Sequence, residues 1–111
     1  MPRSVAVILE DDYSMQLESV AFHTPVWMLD TPANRTAAEQ VWRTAVEWPH
    51  ISVTLFRETD WSSLLHQIAL HERHDALDVI GAPLTDAARV ALDEAGFVRI
   101  EETQSGFRAR R

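Results

Sequence analysis

The chain has 111 residues and a formal net charge of −7. This length makes one domain, 1–111, with one hydrophobic core, and the acidic balance excludes general nucleic-acid binding. Cysteine is absent and all ten basic residues are arginine, which excludes thiol catalysis, disulfides, thiolate metal sites, P-loop lysines and Schiff bases.

Five consecutive apolar residues, Val5 to Leu9, predict a strand over 4–9 buried on both faces. The run is too short for a secretory signal. No stretch reaches the roughly 18 apolar residues of a membrane span, so a cytoplasmic protein with no membrane partner is expected. Residues 13–23 predict a short helix that buries Leu17, Val20 and Ala21 and that Ser14 can cap. The same stretch also fits an extended reading. Val26 to Leu29 is a second strand. Thr31-Pro32 then opens a helix, whose stripe of Ala38, Val41, Trp42, Ala45 and Val46 runs on until Pro49 ends it.

Ile51 to Phe56 is a third strand. Asp60 or Ser62 caps a helix carrying Trp61, Leu64, Leu65 and Ile68 inward. Ala76 to Ile80 is a fourth strand, and Thr85 or Asp86 caps a last helix that stops at Gly96. Phe97 to Thr103 reads as a fifth strand. After the Ser105-Gly106 turn, Phe107 to Arg110 folds back as a short edge strand. The rhythm predicts a three-layer α/β sandwich: a mostly parallel five-stranded sheet with helices on both faces. It resembles the small flavodoxin-like and receiver-like folds. A ferredoxin-like α+β fold is the alternative if 13–23 is not helical.

In such sheets ligands bind beyond the carboxyl ends of the strands. Glu10, Asp11 and Asp12 follow the first strand there, and adjacent carboxylates can hold magnesium through oxygen ligands. Asp11 and Asp12 are the candidate metal ligands, with magnesium as the candidate cofactor. This acidic group resembles the acidic pair of phospho-receiver domains. The rest of the receiver pattern is missing. Phe56-Arg57-Glu58 stands where the phosphoacceptor aspartate belongs, Gly81-Ala82-Pro83 where a serine or threonine does, and no lysine follows the fifth strand.

Asp30 and Thr31 end the second strand. Asp30 has the position of a ribose-binding acid, but the glycines that admit a pyrophosphate are absent. Arg57 is the one basic residue expected at this edge, holding an anion or pairing with Glu58 or Asp60. His66, His71 and His74 would lie at the far end of the third helix, where the helix dipole alone favours histidine. Of the four tryptophans, Trp27, Trp42 and Trp61 are expected in the core and Trp48 in part exposed.

No complete nucleophile–base pair, phosphate loop or metal set is present. The sequence therefore reads as a non-catalytic interaction or regulatory module, acting through a protein partner or by self-association as a homodimer. The alternative is a small ligand- or magnesium-binding enzyme that uses Glu10, Asp11, Asp12, Asp30, Thr31 and Arg57.

Overall fold

A computed structural model describes residues 4–57, 60–72 and 74–111. Its elements follow in strict alternation up to the last hairpin: β1 (Ser4–Ile8), α1 (Ser14–His23), β2 (Val26–Leu29), α2 (Pro32–Ala45), β3 (Val53–Phe56), α3 (Trp61–His71), β4 (Ala76–Ile80), α4 (Asp86–Glu94), β5 (Arg99–Glu102) and β6 (Gly106–Arg110). Side chains start the helices. Thr31, Asp60 and Thr85 accept the backbone N–H groups of Asn34, Ser63 and Ala88, satisfying donors that a first turn leaves free. Pro32 occupies the first turn of α2, where a missing N–H costs nothing. Gly96, at φ +93°, stops the chain after α4 in a conformation that favours glycine. The stretch 13–23 is helical, so the ferredoxin-like alternative does not apply.

The sheet has six strands in the order β3-β2-β1-β4-β6-β5. Strands β3, β2, β1 and β4 run parallel, whereas β6 is antiparallel to both β4 and β5. The expected five-stranded, mostly parallel sheet is therefore a six-stranded mixed one. Its order also departs from the flavodoxin-like and receiver-like arrangement, which is 2-1-3-4-5. Here α1 and α2 carry the chain outward twice on one face, and α3 then crosses to the other face to place β4 beside β1. The last segment is a full inner strand rather than an edge strand. Phe107 and Ala109 are buried against the α3–α4 side, and the outer position falls to β5.

Two apolar layers hold the sheet. Ala6, Ile8, Val26, Met28 and Val53 meet Leu17 and Ala21 of α1 and Ala37, Ala38 and Val41 of α2. Val5, Val7, Trp27, Leu77, Val79 and Phe107 meet Leu64, Leu65 and Ile68 of α3 and Ala88, Ala91 and Leu92 of α4. The alternate residues of β1 thus serve opposite layers, which explains its unbroken apolar run. Trp42 is not a core residue: it is 38% exposed, and its indole N–H donates to the Val53 carbonyl on outer strand β3 at 3.0 Å. No helix is long and apolar enough to cross a membrane among the described residues.

The layers are unequal. On the α1–α2 face the helices cover β1, β2 and β3, and the β4-β6-β5 half carries Asp78, Arg108, Arg110, Arg99 and Glu101 in half-exposed or exposed positions. An antiparallel half-sheet can present one polar face to water, and the alternation Phe107-Arg108-Ala109-Arg110 encodes that division.

Candidate functional site

In a sheet of order 3-2-1-4 the chain reverses direction between β1 and β4, and the crevice beyond their carboxyl ends is the expected ligand position. All six candidate residues lie along this edge. Arg57 follows β3, Asp30 and Thr31 follow β2, and Glu10, Asp11 and Asp12 follow β1. Two strand spacings, about 10 Å, separate the ends of β3 and β1.

Three of these six side chains, those of Asp12, Asp30 and Thr31, have structural partners. Asp30 takes a forked pair of bonds from Arg35, at 3.1 Å from Nε and 2.6 Å from Nη2. Those bonds, and then the charge of Asp30, raise the Arg35 pKa. The Thr31 hydroxyl donates to the Asp11 carbonyl and also accepts the Asn34 N–H. Asp12 accepts the backbone N–H and the hydroxyl of Ser14, at 3.1 Å and 2.6 Å. Ser14 is the first residue of α1 rather than its cap: the cap position is Tyr13, which makes no side-chain capping bond, and Asp12 holds Ser14 from one residue further out. The hydroxyl bond first, and the backbone bond second, hold the Asp12 carboxyl below its ordinary pKa. Arg57 is exposed. The Asp60 expected to pair with it is bonded instead to Ser63, at 2.7 Å from N, and Glu58 lies outside the described residues.

The residue that organises the edge is Asn34, which is fully buried. Its amide donates to the Glu10 carbonyl at 2.8 Å and to the Leu29 carbonyl at 2.9 Å, and its oxygen accepts the Tyr13 N–H at 2.8 Å. One side chain thereby ties the β1–α1 loop to the β2–α2 loop. The sequence signal for it was slight: an asparagine three residues past a Thr-Pro helix start, where side-chain competition with the backbone is tolerated.

Beyond β4 the β5–β6 hairpin divides the crevice, leaving a concavity of about 400 Å³ between residues 81–84 and 102–106. The Gly81 N–H donates to Ser105, so the tip of the β5–β6 hairpin folds over the end of β4. Gly81, at φ +91°, packs so closely on Leu9 and Glu10 that a Cβ there would lie 2.5 Å from Glu10 Cγ. What remains on the α1 side is a recess of about 220 Å³ lined by Glu10, Asp12, Tyr13, Gln16 and Ser105 among others. The Tyr13 hydroxyl donates to Gln16 Oε1 at 3.2 Å, and burial, then the Glu10 charge, pushes its pKa up.

Chemically, this recess offers carboxylates, an amide and a neutral phenol. Proton transfer near neutrality usually falls to histidine, and none stands at this edge. His23, His50, His71 and His74 come shortly before β2, β3 and β4, at the amino edge, and His66 lies within α3. His74 stacks on Phe97 with its Nδ1 against the Glu72 carbonyl, and His71 lies over Trp27. Among the described residues no three histidines or acids gather closely enough to hold a metal ion. Asp11 and Asp12 would have to complete a magnesium shell with water and backbone oxygens.

Another concavity is larger. Between α1 and the open half of the sheet runs a groove of about 490 Å³, lined by Val20 and His23 on one side and Asp78, Ile80 and Phe107 on the other. From beside it Arg108 Nε approaches the lining residue Asp78 at Oδ1 to 2.8 Å, an ion pair whose angle is not that of a hydrogen bond. On the adjoining surface Arg99 and Arg110 stand directly opposite each other across β5 and β6, a like-charge pairing that costs stability. No family model, no curated protein and no solved structure matches this chain.

Proposed function

We propose that the chain is a non-catalytic interaction module whose working surface is the β4-β6-β5 half of the sheet, with its open face and open edge. The observation that carries this reading is the uneven covering of the sheet. One face of β4, β6 and β5 carries no helix among the described residues, borders the larger groove through β4 and Phe107 of β6, and carries two arginines directly opposed to each other. Opposed like charges are relieved by an acidic partner surface. The carboxyl edge supports the same reading from the other side, because Asp12, Asp30 and Thr31 are engaged in holding loops and helix starts.

The competing reading is a small ligand- or magnesium-binding enzyme centred on Glu10, Asp11 and Asp12. One experiment separates the two. A photo-crosslinking residue is placed at Arg110 or at Asp11, and magnesium and manganese are titrated against wild type and Asp12→Asn by thermal shift. The interaction reading expects protein crosslinks from the Arg110 position alone and no metal stabilisation specific to wild type. Metal stabilisation of wild type that is lost in Asp12→Asn would move the function to the acidic edge.

A further inference from the structure

The sheet has two outer strands, and they are not treated alike. On β3 the Trp42 indole occupies the Val53 carbonyl, which blunts that edge against pairing. On β5 no side chain of the described residues bonds to the backbone. Beside β5, Val98 is 75% exposed and Val90 of α4 58% exposed. With Arg89, Asp93 and Ile100 they line a shallow depression of about 450 Å³. An uncovered strand edge flanked by exposed valines invites another strand.

The charges say which strand. β5 reads Arg99-Ile100-Glu101. A two-fold axis through Ile100 pairs this strand with a second copy of itself in antiparallel register, setting Arg99 against Glu101 of the copy and Glu101 against its Arg99. On α4, Arg89 and Asp93 stand one turn apart on either side of Val90. The same axis, by running α4 antiparallel to its copy, pairs their charges in the same reciprocal way. None of these four residues is in an ion pair among the described residues. Arg99 is moreover held against Arg110 within its own sheet, so an incoming glutamate removes a repulsion as well as adding an attraction. Self-complementarity of this kind is what an isologous interface requires.

We infer that the partner of the open edge is a second copy of this chain, joined strand to strand through β5 and helix to helix through α4 into one continuous twelve-stranded sheet. The inference rests on the reading of the β4-β6-β5 half as the working surface, and it names the occupant of its edge. Four-residue strands and two helical turns bury less than a standard interface of about 1,600 Å², so the dimer is a dissociating one, with a Kd on the order of 10–100 µM.

The test is sedimentation velocity from about 1 µM to about 1 mM protein, on wild type, Arg99→Glu, Glu101→Arg and an equimolar mixture of the two variants. Circular dichroism confirms that each is folded, since both positions are exposed. Wild type is expected to shift from monomer to dimer over this range, more weakly at high salt. Each variant alone opposes like charges and is expected to lose at least about tenfold in self-affinity. The mixture opposes unlike charges again and is expected to recover the dimer. A wild type that stays monomeric throughout overturns the inference. So do single variants that dimerise as wild type does, which would point to another surface such as the exposed Phe22–Trp48–His50 group. Either result leaves the Arg110 crosslinking test intact, so failure of the dimer and failure of the interaction reading are distinguishable.

Discussion

At the residue scale, the carboxyl edge shows how carboxylates and amides that look available become fixed by their neighbours. Asn34 is the clearest case. Replacing it by alanine would leave the Tyr13 N–H and the Glu10 carbonyl without their partner, while the Leu29 carbonyl keeps the Thr31 N–H, and buried groups stranded in this way cost about 1–3 kcal/mol each, in part relieved by relaxation. Asn34→Ala is therefore expected to lose about 3 kcal/mol, or about 15 °C in Tm for a domain of this size, measured by thermal denaturation. A loss within about 0.5 kcal/mol would mean that the two loops hold together without it. Asp12 makes a prediction of the opposite kind. Its folded pKa is lowered by Ser14, so its contribution is fully present above the unfolded pKa and is lost as pH falls through the folded value. The Tm of wild type is expected to drop more steeply than that of Asp12→Asn, whose amide oxygen can still accept from Ser14, as pH falls below about 5. Parallel acid limbs would show that the Ser14 bonds are absent in solution.

At the element scale, most of the chain was legible because its local signals agree. The caps at Thr31, Asp60 and Thr85, the stop at Gly96 and the apolar run of β1 each state one local rule, and the helices and parallel strands formed where those rules placed them. Strand order was not legible for a physical reason. The β-α rhythm is the same whether a helix carries the chain outward again or back across the sheet, so 3-2-1-4 and 2-1-3-4-5 look alike in sequence. The hairpin departs from its expectation for a different reason. Phe97 to Thr103 reads as a strand, yet Phe97 packs ahead of β5 and Val98 is exposed. The shorter Gly106–Arg110 segment has strict alternation, and Gly106 lets the chain pass β4 where a Cβ would come within 2.0 Å of the Val79 carbonyl. That close approach is a tertiary fact, and nothing local to Ser105-Gly106 reports it. The candidate site was legible as a place, since acids after β1 mark the edge. The groups that engage this edge are Ser14 on the Asp12 carboxylate, Arg35 on Asp30 and Asn34 on the Glu10 carbonyl, and only the Asp12–Ser14 contact is close enough in sequence to be read from it.

At the scale of the whole molecule, the inner position of β6 determines how the sheet holds together. This strand alone joins β4 to β5, pairing from Ala76 to Ile80 on one side and from Arg99 to Glu102 on the other. It also supplies Phe107 to the α3–α4 core, where the ring meets Trp61. Arg111, directly after it, fastens the end of the sheet: its N–H donates to Asp75, its Nη1 to the Ala95 carbonyl at 2.7 Å, and its guanidinium lies 4.5 Å from the centre of the Phe97 ring. Deleting residues 106–111 removes a buried aromatic side chain worth about 3–5 kcal/mol and every β4–β6 hydrogen bond. With the Arg111 contacts also lost, the sum approaches the roughly 11 kcal/mol that a 111-residue domain holds at about 0.1 kcal/mol per residue. The deleted protein is expected to show no cooperative unfolding transition by calorimetry. Had the segment been an edge strand, the same deletion would have trimmed the sheet and left a folded domain with a lower Tm. A cooperative transition in the deleted protein would therefore show that β5 can pair directly with β4, and that the sheet tolerates a parallel closure in place of the mixed one.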